Sequence, residues 1–362
     1  MDCRLMFYRK AGISNYTRRL VQGLAQIAIS HQPLAISLLM DRRDNDTGWV
    51  PPNCKVIRTV TPAHHKYEHI TLPLELAISN LQSPISLLHS PDFITCASHF
   101  KKVITIHDLY FMEHPEAMSA DGARYYGRVR QSAQRANKII AVSHFTRNNI
   151  LRLMPEVSPD KIVVVHEAAD GPRAIPNPQP PLPNLYCLFV GTFEPRKNLG
   201  TLLRALARTP NDVKLVIAGE SGWVAGTEPM QLAHELGLSQ RVHLAGHVSD
   251  AELDQLYRNA RCVVVPSLAE GFGLTALEAM SRGTPVICST GGSLPEIVGA
   301  AALLHEPTDV AQLANLITQL WNDEALRQDY AYRARQRASQ FSWAKAAQET
   351  LQVYTSALNS RL

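Results

Sequence analysis

The sequence holds no apolar run approaching the roughly 18 to 20 residues that span a bilayer, and it opens on Met1-Asp2-Cys3-Arg4, without the basic-then-apolar order of an export signal. Neither an integral membrane protein nor one exported by that route is expected. Cysteines are few and scattered. Cys3, Cys54, Cys96, Cys187, Cys262 and Cys288 make no Cys-x-x-Cys and no zinc-finger spacing with histidine, which fits a reducing cytoplasm. No sign of charge dominates: 36 Lys plus Arg stand against 32 Asp plus Glu, so the dense basic field of a dedicated nucleic-acid binder is missing. Gly-x-x-x-x-Gly-Lys-Ser/Thr, His-Glu-x-x-His and Gly-x-Ser-x-Gly are absent, and neither half has Gly-x-Gly-x-x-Gly after its first strand. Phosphate-loop nucleotidases, zinc proteases, common serine hydrolases and dinucleotide dehydrogenases lose support accordingly.

What is present is enough apolar material, 45% of 362 residues, to build packed interiors in a soluble globular protein. The length exceeds what one hydrophobic core serves, so two domains are expected. Residues 172–183 read PRAIPNPQPPLP, six prolines in twelve positions, which neither continue a helix nor pair in a sheet. This places one domain at 1–172, a linker at 173–184 and a second domain at 185–340. Upstream, buried strands are expected at 34–40, 85–89, 103–106, 139–142 and 162–165, with helices at 12–27, 121–138 and 144–154. Downstream the alternation repeats, with strands at 186–190, 214–218, 242–245, 262–265 and 285–288 and helices at 198–209, 228–236, 250–259, 274–282 and 310–322. Nearly continuous Val/Ile/Leu strands between helices indicate an α/β protein with two doubly wound parallel sheets, and a cleft between the domains is the natural ligand site. Two segments sit oddly. Only residues 1–8 precede the first helix, so the opening strand is either shortened or cut by a late start codon. A surplus helical stretch, 344–358, follows Phe341-Ser342-Trp343 and is a candidate to pack on the first domain.

The most informative stretch is Ser267-Leu268-Ala269-Glu270-Gly271-Phe272-Gly273-Leu274-Thr275-Ala276-Leu277-Glu278. It follows a strand, and the two glycines delay the helix until Leu274, so backbone N–H groups at the helix start favour an anion such as phosphate. Glu270 in the turn and Glu278 about one turn into the helix would repel that phosphate unless they address hydroxyl-rich groups beside it, such as sugars. Either carboxylate alone reads as a solvated glutamate. A second cluster, Gly191-Thr192-Phe193-Glu194-Pro195-Arg196-Lys197-Asn198, also follows a strand. Arg196 and Lys197 there suit a diphosphate, or are simply solvated cations, while Asn198 is expected to cap the next helix. In the first domain His107 and Asp108 end a strand, where His107 would bind a substrate hydroxyl or polarise an oxygen; a structural histidine is the common alternative. Gly12 begins the first helix, where its backbone can approach a phosphate. Asp44-Asn45-Asp46 has the Asp-x-Asp form that holds a metal in some sugar transferases, but reads as a solvated loop.

With those residues in view, the chain resembles the GT-B retaining glycosyltransferases of family 4, also called glycosyltransferase group 1. The resemblance runs from Gly12-Ile13-Ser14-Asn15-Tyr16-Thr17 through Thr105-Ile106-His107-Asp108-Leu109 and Ala141-Val142-Ser143-His144-Phe145 to the two segments above. It continues into Gly283-Thr284-Pro285-Val286-Ile287 and Leu294-Pro295-Glu296-Ile297-Val298-Gly299. It implies two Rossmann-like domains and a crossover helix at 341–362 returning to the first, with a nucleotide sugar bound mainly by the second domain and an acceptor mainly by the first. Arg196 and Lys197 match the positions that stabilise the departing diphosphate without an obligatory metal. Glu270 matches the carboxylate on the donor sugar hydroxyls, Glu278 the one on ribose, and the amides of Gly271, Phe272, Gly273, Leu274 and Thr275 the phosphate cradle. His107 matches a histidine near the transferred sugar, with Asp108 beside it; Gly12 matches a glycine near the diphosphate, and Gly246, His247 and Val248 a stretch against the nucleobase. Thr192 stands where some members carry arginine.

The resemblance further implies same-face substitution through an oxocarbenium-like transition state, with no separate cofactor. GDP-mannose is the first guess for the donor, with UDP-sugars open, and the acceptor expected is a glycan or lipid-linked glycan in envelope or exopolysaccharide synthesis. A non-catalytic scaffold of the same fold, a sugar-nucleotide epimerase and a phosphorylase are the alternatives. The charge excess sits upstream, with 20 basic and 15 acidic residues in 1–172. Arg124, Arg128, Arg130, Arg135 and Lys138 crowd a segment that also holds Tyr125, Tyr126 and Val129, either a solvated basic helix or a peripheral contact with anionic membrane.

Overall fold

The structure, a computed structural model, describes the chain apart from residues 9–11, 32–33, 64, 66, 83, 94–99, 118–121, 123–124, 172–185, 220–228 and 361–362. The proline-rich linker therefore lies outside the described residues. The rest divides into two compact units, Met1–Glu167 with Ser342–Leu362, and Ala168–Phe341.

In the first unit, strands β1 (Ile36–Asp41) and β2 (Cys54–Thr59) pair in parallel, and β3 (Leu87–Ser90), β4 (Lys101–Ile106), β5 (Lys138–Ala141) and β6 (Ile162–Val164) form a parallel sheet in that order. The short opening segment joins them. Asp2 N donates to His89 O (2.8 Å) and Cys3 N to Leu39 O (2.8 Å), while Leu39 N donates to Met1 O (2.9 Å). A single bridging residue thus stands where a doubly wound sheet has a full strand. Its neighbour Arg4 is buried and ion-paired with Asp2 and Glu68.

The Gly12–His31 helix buries Tyr16, Leu20 and Leu24, spaced four apart on one face, against the Trp343–Asn359 helix. Gly23 permits that approach: a Cβ there would lie 2.8 Å from Ala347 Cβ and 3.1 Å from Trp343 O. Ala346, Val353 and Ala357 of the later helix cover Val103, Ile140 and Val165 of the sheet. Tyr354 also meets His89 Nδ1 at 2.6 Å, and burial pushes that imidazole down to about 3, so it is neutral at ordinary pH. The surplus stretch near the C-terminus is therefore an integral layer of the first unit.

The second unit is a six-stranded parallel sheet ordered β12-β11-β10-β7-β8-β9, with β7 (Cys187–Val190), β8 (Leu215–Ala218), β9 (Val242–Gly246), β10 (Cys262–Val265), β11 (Val286–Ser289) and β12 (Leu303–His305). Sequence order reverses between β7 and β10. Loops leaving those two strands at their carboxyl ends therefore diverge over a crevice, the place where open α/β sheets take ligands.

Several expectations change. No continuous helix runs from 121 to 138: a turn at Gly127 precedes the Val129–Arg135 helix, and Lys138 already opens β5, because Asn137 Oδ1 accepts from Lys102 N and closes the segment onto β4. Asp44 is buried and accepts from Asp46 N (3.0 Å), so that loop is an internally bonded turn and not simply solvated. Strand β2 and the Glu68–Gln82 and Glu324–Ala338 helices were not anticipated. Among the described residues no helix is long and apolar enough to cross a membrane, and no described cysteine is in a disulfide.

Candidate active site

Leaving β7, the chain turns through Pro195–Lys197 and enters the Leu199–Leu206 helix. Asn198 occupies the cap position with left-handed φ of 55°, yet its side chain makes no cap bond. Its amide donates to Pro266 O (2.9 Å) and Pro307 O (2.7 Å), stitching this loop to the one leaving β10. Leu268 N completes the seam by donating to Arg196 O at 2.7 Å. The expected cap is instead a cross-brace.

This seam delivers side chains from two distant segments to one carboxylate. Lys197 Nζ lies 2.7 Å from Glu270 Oε1, Arg196 donates to Glu270 Oε2 at 3.2 Å, and Ser267 Oγ donates to Oε1 at 2.6 Å. Arg196 also meets Glu194 Oε2 at 2.9 Å. The two cations are therefore not solvated but held in an ion-pair network. Burial works against the Glu270 anion, yet Lys197 and Arg196 overcome it and hold the carboxyl down to about 2. Glu270 is thus a permanent carboxylate at working pH. It accepts hydrogen bonds and has no proton to give.

A third loop, after β11, braces the turn from behind. Ser293 N and Oγ both donate to Glu270 O, at 3.0 and 3.1 Å. Gly292 has φ of +71°, and a Cβ there would fall 2.3 Å from Glu270 O; one at Gly291 would fall 2.5 Å from Leu268 O. These bracing residues escaped sequence reasoning, although two consecutive glycines after a buried strand are a visible signal of close backbone approach.

The Leu274–Ser281 helix begins as expected after Gly273, whose φ of 100° suits only glycine, and its first-turn N–H groups have no partner within the helix. Phe272 is buried with its ring edge-on to Phe341, 6.0 Å away, so it offers the site backbone and not an aromatic face. Glu278 joins a separate cluster, where Oε2 accepts from the Tyr257 hydroxyl at 2.8 Å and burial raises the carboxyl above its ordinary value. The structure thus gives the two glutamates different partners. Gly246 closes β9 at the same carboxyl edge, its carbonyl accepting from Gly219 N (2.9 Å), and His247 beyond it is exposed.

In the first unit, His107 is occupied by its own domain. Nδ1 meets Glu167 Oε1 at 2.7 Å and Nε2 meets Pro91 O at 2.9 Å. Burial works against the charged imidazole, but Glu167 and the Pro91 carbonyl prevail and raise its pKa. Two acceptors on one ring fit an imidazolium donating from both nitrogens, so the substrate-facing donor expected at His107 is engaged. Glu167, buried just beyond β6, was missed. Asp108 accepts from Tyr110 N at 3.1 Å, a local turn bond. Gly12 is exposed at its helix start, and residues 9–11 just before it lie outside the described ones.

Paired cations and a carboxylate meeting at the β7/β10 crossing suit a ligand with both phosphate and hydroxyl groups, and comparison with known proteins bears directly on this. The model for glycosyl transferases group 1 matches residues 173–337 and that for glycosyltransferase family 4 matches 11–170. The chain belongs to glycosyltransferase family 4. A 35% identical relative, O-antigen chain mannosyltransferase B of Escherichia coli, aligns over 74% of this chain and 74% of its own length. The MMP alpha-(1->4)-mannosyltransferase of Mycolicibacterium hassiacum is 33% identical over 65% of this chain and 58% of its own. The fold is shared with sucrose-phosphate synthase from Thermosynechococcus elongatus at a TM-score of 0.74 and 24% identity, over 95% of this chain and 93% of that one. WaaG, a glycosyltransferase of lipopolysaccharide biosynthesis, superposes with a TM-score of 0.71 at 16% identity, over 95% and 96%. This family 4 protein is a glycosyltransferase of GT-B fold and mannosyltransferase-like sequence.

Proposed function

We propose that this glycosyltransferase moves a hexose, mannose first, from a nucleotide diphosphate sugar, GDP-mannose first, to a glycan or lipid-linked glycan, with retention and without a metal or other cofactor. The setting is envelope or exopolysaccharide synthesis in the cytoplasm. The observation that carries the reading is Glu270 clasped between Lys197 and Arg196 where the β7 and β10 loops part.

In this reading Glu270 accepts from donor sugar hydroxyls, Glu278 from ribose, and Gly246, His247 and Val248 border the nucleobase. Lys197 and Arg196 stabilise charge on the departing diphosphate, helped by the amides from Gly271 to Thr275. The bond from the anomeric carbon to phosphate oxygen breaks, with its electron pair leaving on the diphosphate. The acceptor hydroxyl adds to the same face, and its proton passes to a diphosphate oxygen. Glu270, held at about 2, does not serve as the acid in that exchange. His107 and Gly12 are assigned to the sugar and diphosphate by resemblance, and His107 acts only after yielding one of its present partners.

A nucleotide-sugar panel with chelator present tests the reading. GDP-mannose should be bound and turned over, with the product anomer matching the donor by NMR. If no donor is bound or hydrolysed, and Glu270→Ala or Lys197→Ala changes nothing, the reading fails.

Peripheral contact with anionic membrane through the first unit is part of the proposal, on altered ground. Arg124 lies outside the described residues; Val129 is buried, Tyr125 and Tyr126 pack against the core, and Arg130 pairs with Glu156 at 2.9 Å, so the 125–138 segment offers charge without an insertable face. Among the exposed apolar side chains of the first unit, Tyr67, Ile70, Leu74 and Ile78 gather on the Glu68–Gln82 helix and just before it, whereas Ile29, Val60 and Leu358 lie elsewhere. Charge reversal at Arg130 should weaken partition onto anionic liposomes less than Leu74→Ser with Ile78→Ser does. No partition in any variant removes the membrane from the proposal.

A further inference from the structure

The Asp250–Asn259 helix brings a tyrosine beneath the Leu274–Ser281 helix, and none of the assignments above uses it. Tyr257 is fully buried, with its hydroxyl 2.8 Å from Glu278 Oε2. Two further contacts pin it. Its carbonyl accepts from Thr284 Oγ1 at 2.7 Å, and the Arg282 guanidinium lies over its ring, 5.1 Å from the centroid. Arg282 is itself fixed by Asp254, wholly buried at 2.7 Å, and donates to Glu278 O at 2.9 Å. The phenol therefore cannot follow a glutamate that swings away.

Among the described residues, Glu278 Oε1 has no hydrogen-bond partner, and the residue is only half-buried. A hydroxyl donor spends one carboxylate oxygen, fixes the rotamer and leaves the other oxygen open. We propose that Tyr257 is a positioning residue for the donor: it anchors Glu278 by one oxygen so that the other is presented, already oriented, to the ribose hydroxyls. This rests on the nucleotide-sugar reading of the site and deepens it, because it makes the diol and not the base or the diphosphate the group that senses Tyr257.

The anchor also bears on protonation. Burial pushes Glu278 up, Asp170 and Asp250 push the same way, and Tyr257 and Arg282 oppose them. Removing the phenol hydroxyl removes one of those opposing interactions. The carboxyl then protonates at higher pH, and nucleotide binding is lost earlier as pH falls.

The test is calorimetric binding of GDP and 2′,3′-dideoxy-GDP, with the matching UDP pair alongside, to the full chain and its Tyr257→Phe variant. Wild type should prefer the ribose nucleotide. The variant should lose about tenfold on that nucleotide, in keeping with one hydrogen bond to a charged group, and little on the dideoxy form. The donor KM should rise with kcat within about twofold, and the acid limb of the binding profile should move to higher pH. A cycle with Glu278→Gln, scored on variants whose melting curves show them folded, gives a second readout: the double variant should bind no worse than Glu278→Gln alone. Equal loss on both nucleotides, unchanged GDP and UDP affinity, or additivity in the cycle overturns the role of Tyr257. If wild type binds no nucleotide at all, the donor reading falls and this proposal with it.

Discussion

The carboxyl ends of the two sheets carry equally conspicuous polar residues, yet those residues have different fates. In the second unit Lys197 and Arg196 cross some seventy positions of chain to reach Glu270. In the first, His107 is bonded at both nitrogens by its own domain and Asp108 completes a local turn. A polar residue at a strand end is thus weak evidence taken singly. Convergence of opposite charges from separate loops on a partly enclosed point costs desolvation, and stability alone seldom calls for it.

The sharpest way to break the contrast is Glu270→Ala. It leaves Lys197 and Arg196 facing each other without their shared counter-ion, and should cost about 3 kcal/mol as well as most of the transferase activity. Because the folded carboxyl lies near 2 and the ordinary value is 4.5, its contribution is present above pH 4.5 and lost as pH falls toward 2. Melting curves of wild type and variant should therefore converge in acid. A constant gap across that range would mean that the ion pairs are not what stabilises the loop.

Gly292→Ala should come next. The added Cβ meets Glu270 O at 2.3 Å in a left-handed backbone, so about 2 kcal/mol of stability should be lost and activity should fall with Glu270 itself intact. Unchanged turnover would show that the brace behind the turn is dispensable.

The smallest effect belongs to the first unit. His107 is raised above its ordinary 6.5, so its bond to Glu167 stabilises fully below that pH and fades as pH rises through the folded value. Glu167→Gln should lower the melting temperature at pH 5.5 by the equivalent of about 1 kcal/mol, a gap that narrows toward pH 8.5. Affinity for GDP should stay put, because His107 is assigned to the sugar and not to the nucleotide; a large change would mean that His107 and Glu167 act on the nucleotide directly.

Legibility in the sequence followed the same division. Strand β10 was read to its exact bounds because Cys262–Val265 is buried on both faces and apolar throughout. The Asp250–Asn259 helix was also read to its bounds, since Ser249 and Glu252 form a capping box. Strand β2 was missed because Lys55 and Arg58 interrupt it, and the Glu68–Gln82 helix because Pro73 lies inside it and its outer face is apolar. The Glu324–Ala338 helix buries only Ala334 and Ala338, leaving almost no periodic stripe to find. At the site, the cations and both glutamates stood out by type and spacing. Glu167 and Tyr257 did not, because their significance is a contact and neither has a sequence neighbour that announces it.

The closing helix of the first unit has a consequence for how the protein is made. Tyr16, Leu20 and Leu24, along with Val103 and Ile140, take part of their cover from Trp343–Asn359, which the ribosome delivers after the whole of Ala168–Phe341. At about 5 to 20 residues per second the wait is on the order of ten seconds or more. The later unit, contiguous in sequence, can finish folding during that interval. The earlier one must keep two apolar faces partly uncovered in a nascent chain, the state in which chaperones would be expected to meet it.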